Sequence, residues 1–334
     1  MEEHDWDLLL FYGHAWRKDF FRYLLNVNFS GPWATAALSR SGEVRVTVSH
    51  PWDAELFPGV DVGEFRLPAN ARVAAAGLEL MEVRQVEVLG VLPISASAQV
   101  EELRRVKDPD EIACLRRAAD LADRGYEHFA RVIEPGMAEY ELVAEVEGFL
   151  KSNGAEDNFM LIASGGTEVT GMKPPTERRF QIGDQVTTEL TPQVDGYYAQ
   201  ICRTLVLGES SAEQRRAFQI FSEAQRSAED LLKPGVDIAE IARVQNDVFR
   251  KYGYGDYTGP KYTRVRGHNL GLHPDETPYV LEDVHYPVRE GMVIIAHPNT
   301  YLPLSGYMVF GDSLLVTADG CTSLHAAERK LFQK

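Results

Sequence analysis

Cysteine is scarce in this chain. Cys114, Cys202 and Cys321 are the only thiols among 334 residues. They lie far apart with no CxxC pair, which argues against a disulfide-stapled scaffold and a thiolate zinc site of the usual spacing. A reducing, cytoplasmic setting is expected. Basic charge is short as well: 34 Lys and Arg stand against 50 Asp and Glu, a formal charge of -16. Such a chain repels polyanions, so neither nucleic acid nor an anionic membrane is an expected partner. No apolar run approaches the roughly 18 residues of a bilayer span. The opening MEEHDWDLLLFYGHAW has neither the basic flank nor the apolar length of a signal peptide. What is present, 44% hydrophobic and 25% charged residues, is an ordinary globular composition. The length is that of two domains with room for a large core.

The two domains have different patterns. From Trp33 to Ser49 two β-rich runs flank the turn Arg40-Ser41-Gly42, with Val44, Val46 and Val48 alternating, which predicts a hairpin. Further short apolar runs such as Val83 to Leu92 and few long amphipathic helices make residues 1–103 a small α/β domain. At Asp108-Pro109-Asp110-Glu111 the pattern changes to an N-cap, a proline at the first helical position and a glutamate at the third. Ile112, Leu115, Ala119, Ala122, Tyr126 and Phe129 then recur at helical spacing to about Val132. The second domain spans 104–334.

This second domain echoes itself. A helix pattern (Asp108 to Val132; Ser211 to Leu232) runs into a Pro-Gly break, at Pro135-Gly136 and again at Pro234-Gly235. A further helix pattern then ends at Gly154 and Gly253. Pro135 to Gly154 and Pro234 to Gly253 are each 19 positions apart, and the copies are offset by 99. Two copies at this offset suit a duplicated helix-helix-strand unit about a pseudo-twofold; the alternative is two unrelated helical hairpins. Strand candidates are Gln185 to Leu190, Gly196 to Leu207, Met292 to His297 and Ser313 to Val316, rich in Val, Ile, Thr and Tyr. Duplicated helices with a mostly antiparallel sheet predict an α+β fold whose concave sheet face is the place for chemistry.

Six segments in this order resemble the creatinase/prolidase/methionine-aminopeptidase superfamily. They are RRVKDPDEIACLRRAA at 104–119, EPGMAEYEL at 134–142, IGDQVTTELTPQVDGYYAQICRTLVLG at 182–208, GHNLGLHPDETP at 267–278, EGMVIIAHPNTYLP at 290–303 and GDSLLVTADG at 311–320. The resemblance implies the pita-bread fold over 104–325 and a shortened creatinase-type domain before residue 100. Peptidases of the superfamily hold two metal ions with Asp, Asp, His, Glu and Glu. Carried over, the first Asp position is Glu189, the second is Gln200, and the His is retained as His268. The first Glu position becomes His297 and the last becomes Gly311. A further family histidine falls on Met172, and a second catalytic histidine falls on Asp275.

Two close divalent cations need several anionic oxygens to offset their repulsion, and only Glu189 among the five positions is charged. A dinuclear centre is therefore not expected. Glu189, His268 and His297, with Gln200 as a neutral oxygen, suit one divalent ion (Fe, Zn or Mn) with an open position, and also match the composition of the non-haem Fe(II) triad. Creatinase itself lacks the metals, and its GYY run is similar to Asp195-Gly196-Tyr197-Tyr198 here, so a metal-free pocket stands beside the single-ion one. In that case His268 and His297 bind substrate or move protons. Hydrogen-bonded remnants without function are the third possibility.

Cys202, two residues beyond Gln200, should share its sheet face, as a small buried hydrophobe rather than a nucleophile. Arg203 should face the other way and pair with an acid beneath the sheet. His273, Asp275 and Glu276 lie in a loop barred from helix by Pro274 and Pro278 and are candidates for the pocket mouth, with Asp275 as an acid/base. Tyr198, Gln200, Cys202, His273, Asn299, Tyr301, Tyr307 and Met172 are candidate substrate contacts. His4, His14, His50, His128, His285 and His325 show no ligand spacing. The implied activity is hydrolysis of a C–N bond, or a related reaction, in a small amino-acid-like, amide or guanidino substrate. The rivals are a mononuclear Fe(II) oxygenase or lyase and a non-catalytic peptide- or ligand-binding pseudopeptidase. The resemblance also implies a homodimer.

Overall fold

The computed structural model describes residues 1–64, 67–68 and 70–334. The chain divides into two compact units, Met1–Arg104 and Arg105–Lys334. The first holds a six-stranded mixed sheet in the order Asp61–Val62, Val44–Val48, Trp33–Ser39, Leu8–His14, Val73–Ala76, Ile94–Ser95. The expected hairpin is its antiparallel pair Trp33–Ser39 and Val44–Val48. Phe20, Phe21 and Phe29 are buried against Phe11, Ala34 and Ala74. The apolar run at Val83 to Leu92 turns out to start as a helix, Val83–Leu89, closed by Glu82 and Gln85 in a capping box and by Gly90 at φ 68°. Val83 and Val88 are exposed, so no buried face organised that segment as a strand.

In the second unit the helix Pro109–Val132 starts where the capping residues put it. Asp108 accepts from the backbone N–H groups of Asp110 and Glu111, and the Glu111 carboxylate accepts from the Asp108 N–H at 2.9 Å. Helices Glu139–Ser152, Ala212–Leu231 and Ile238–Lys251 complete the two pairs. The duplication extends to atomic contacts. Gly136 and Gly235 sit at φ 90° and 88°, a conformation that favours glycine, and each donates its N–H to a backbone carbonyl, of Phe180 at 2.8 Å and of Val288 at 2.9 Å. Leu142 and Leu150 of one copy are matched by the buried Ile241 and Phe249 of the other, at the same 99-residue offset.

The sheet of this unit runs Glu276–Tyr279, Gly267–Asn269, Val293–Ala296, Gly311–Val316, Ile201–Val206, Gln185–Val194, Asp157–Gly165, all antiparallel along that path. Alternation gives its two faces different tasks. Val186, Leu190, Ile201 and Leu205 pack on the first helix pair, while Ile294, Ala296, Leu314 and Val316 pack on the second. The intervening residues Glu189, Cys202 and Ile295 therefore point to the opposite face. Arg203 lies on the helix side, where its guanidinium meets Asp312 at 2.7 Å with both side chains buried, the acid expected beneath the sheet.

Candidate active site

The helix-free face gathers residues from distant parts of the chain. Cys202 lies directly across from Glu189 in the antiparallel register, and His268 lies across from Ile295, two residues before His297. The side chains of Glu189, Cys202, His268 and His297 are each at least nine-tenths buried. The rings of His268 and His297 meet edge to face with centroids 5.4 Å apart. Asn299 Nδ2 donates to Glu189 Oε1 at 2.7 Å and approaches Cys202 Sγ at 3.9 Å, and Gln200 Nε2 lies 3.5 Å from the same sulfur. Asp275 places a carboxylate oxygen 3.6 Å from His268 Nδ1, which is also 2.9 Å from the Asn269 carbonyl.

Burial sets the charges. It raises the Glu189 carboxyl to about 7, the Asn299 hydrogen bond opposing and the Asp275 charge adding to the rise. Burial, the neighbouring His268 and the Arg266 charge lower His297 to about 3. His268 is lowered by burial too, against the pull of Asp275 and the Asn269 carbonyl. Burial and the Glu189 charge push the Cys202 thiol up, so it stays protonated. Near neutral pH the pocket thus holds two neutral imidazoles and a carboxyl that keeps part of its population protonated.

Several sequence candidates take other places. Asn299 is 1% exposed, and its side chain is engaged at both ends: Nδ2 donates to Glu189 and Oδ1 accepts from the Phe310 N–H at 3.2 Å, while Arg266 Nη1 donates to its backbone carbonyl at 3.0 Å. It orients Glu189. Glu276 is buried and forms an ion pair with Lys107 at 3.0 Å, besides accepting from Asn269 Nδ2 at 3.2 Å. Tyr198 turns its hydroxyl to Asp157 at 3.3 Å. Tyr301 is half-buried and stacks on Tyr262, centroids 5.4 Å apart. His273 Nδ1 accepts from the Asp275 N–H at 3.2 Å. Met172 lies in the half-buried loop after Gly171. His325 is a satisfied core histidine, with Nδ1 2.7 Å from Asp123 and Nε2 2.9 Å from the Gln200 carbonyl. No local pattern marked this clamp, because its three parts are 123 to 325 in the chain and only packing joins them.

The donor set does not fit two metal ions. A Cβ on Gly311 would sit 2.3 Å from the Ala296 carbonyl oxygen and 2.8 Å from His297 Cβ, so that position cannot carry a carboxylate on this backbone. Gln200 is neutral, and Glu189 is left as the lone acid among the five positions that the resemblance assigns to ligands. Among the described residues no group of three or more His, Cys, Asp or Glu side chains is arranged to hold an ion. Among them also, the buried His297 Nδ1 has no hydrogen-bond partner.

Residues 113–318 match the model of metallopeptidase family M24. An Xaa-Pro dipeptidase of Pyrococcus furiosus is 32% identical over 235 residues, covering 70% of this chain and 66% of that protein, and its counterpart in Pyrococcus horikoshii matches equally. The chain's match thus spans just under two thirds of these relatives. In three dimensions the prolidase from Pyrococcus horikoshii superposes with a TM-score of 0.85 at 24% identity, over 99% of this chain and 97% of the other.

Proposed function

Since the chain belongs to metallopeptidase family M24 and to the pita-bread creatinase/prolidase/aminopeptidase superfamily, we propose that it hydrolyses a C–N bond in a small amino-acid-like, amide or guanidino substrate without the two-metal centre. One observation carries this reading: the buried Glu189 carboxyl, held by Asn299, lies on the same sheet face as the neutral imidazoles of His268 and His297, at positions where the resemblance puts metal ligands. In this mechanism His268, with Asp275 behind it, accepts a proton from a water as the water oxygen bonds to the substrate carbon. The C–N bond breaks, and the leaving nitrogen takes a proton from Glu189, whose raised affinity keeps part of it protonated near pH 7. His297 stays neutral and offers its unpartnered nitrogen to the substrate.

A second reading rests on that same unpartnered Nδ1 alone, since the three side chains are not arranged around an ion here: Glu189, His268 and His297 would have to draw together to hold one divalent ion (Fe, Zn or Mn), the Fe(II) form opening redox chemistry. Both are tested on protein purified without a His-tag, by elemental analysis together with turnover of dipeptides, amides and guanidino compounds before and after chelation. Metal-free protein that turns over, and loses turnover in His268→Ala, supports the first. Stoichiometric metal lost in both His268→Ala and His297→Ala supports the second, with oxygen uptake marking the redox form. Substrate binding without turnover in any state would replace both with a binding protein.

A further inference from the structure

A second hollow, of about 380 Å3, opens on the solvent side of the helix Pro109–Val132, across the sheet from the candidate active site. Helical spacing brings three guanidinium groups to its rim, Arg116, Arg117 and Arg124. Leu121 and Val194 supply an apolar floor. Two of the arginines have partners: Arg117 binds Asp195 at 2.6 Å, and Arg124 binds Asp120 and Asn153, each at 3.0 Å. Arg116 is exposed and has no hydrogen-bond or ion-pair partner among the described residues.

Three guanidiniums against the two carboxylates of Asp120 and Asp195 leave this hollow locally positive on a chain of charge -16. The planar guanidinium fork matches carboxylate and phosphate oxygens two at a time. The existing pairs are solvent-exposed and contribute little, so an incoming anion exchanges for them at small cost. Apolar atoms on the floor ask for an apolar body on the same ligand.

We propose that this hollow binds a small organic anion, a carboxylate or a phosphate monoester bearing an apolar group, with Arg116 as its primary contact. The proposal is independent of the chemistry assigned to Glu189 and His268. The test is calorimetric titration of the full chain with inorganic phosphate, phenyl phosphate and phenylacetate. Phenyl phosphate or phenylacetate is expected to bind more tightly than phosphate, and the stronger of the two identifies the headgroup. Arg116→Ala should weaken binding about tenfold and Arg116→Lys less, while Arg226→Ala, an exposed arginine elsewhere, should leave it unchanged. Circular dichroism melting checks that the variants fold. No binding of any probe up to about 10 mM, or equal binding by parent and folded Arg116→Ala, overturns the proposal.

Discussion

Asn299 holds Glu189 from 110 positions away, its Nδ2 donating to Oε1 at 2.7 Å while its own carbonyl is held by Arg266 at 3.0 Å. The bond favours the ionised carboxylate and so works against the burial that raises Glu189. Replacing Asn299 by Leu removes it, and the proton affinity of Glu189 rises. The limb of the pH-rate profile that belongs to Glu189 should move to higher pH, with a stability loss of about 1–3 kcal/mol in denaturant titration from the unpaired groups left behind. A limb that stays in place would separate Asn299 from the titration of Glu189.

Asp275 is exposed, yet its oxygen lies 3.6 Å from the buried His268 Nδ1. If His268 is the base, Asp275→Ala should cost roughly 10–100-fold in kcat with the melting temperature nearly unchanged, since surface substitutions usually stay within about 0.5 kcal/mol. A loss confined to KM would make Asp275 a substrate contact instead.

Gly311 shows why the family's ligands cannot simply be restored. Gly311→Ala puts a methyl 2.3 Å from the Ala296 carbonyl oxygen, and the strand must shift to accept it. The expected cost is about 1–3 kcal/mol in chemical denaturation. Gly311→Glu should be worse, and should fail to recruit a second ion in elemental analysis. A stable Gly311→Glu protein holding two ions would refute the steric account.

The Arg203–Asp312 pair controls acid stability. Burial raises Asp312, but the charges of Arg203, His325 and Arg329 prevail and hold it at about 2, below its ordinary 3.8. A depressed carboxyl stabilises the fold fully above its unfolded value, and that contribution disappears as pH falls through the folded value. The relevant window is therefore from about pH 4 down to 2, worth about 2 kcal/mol. Asp312→Asn should flatten the melting-temperature curve in that window. Arg203→Leu, which strips Asp312 of its buried partner, should cost about 3–5 kcal/mol at neutral pH.

The helices of the larger unit were legible because their signals are local. Asp108 and Glu111 satisfy backbone groups within three residues around Pro109, and the Pro-Gly break with its closing glycine recurs once, 99 positions on. Val83–Leu89 was less legible because its apolar residues are exposed and follow no buried face. At the candidate site the residue types and the sheet face could be read from the strand period. The partners of Asn299 and Glu276 could not.

Period, caps and motif order are properties of neighbouring residues, so the amino-acid chain alone carried the α+β duplication, the buried Arg203–acid pair and the scarcity of negative charge at the five family positions. Folding chose the rest. Which nitrogen meets Glu189, why no side chain fits at Gly311, and that Glu276 lies against Lys107 depend on segments separated along the chain, by 169 positions in the last case, meeting in the fold. Hydrogen bonds act over about 3 Å, and no one-dimensional pattern encodes which distant groups packing brings within that reach.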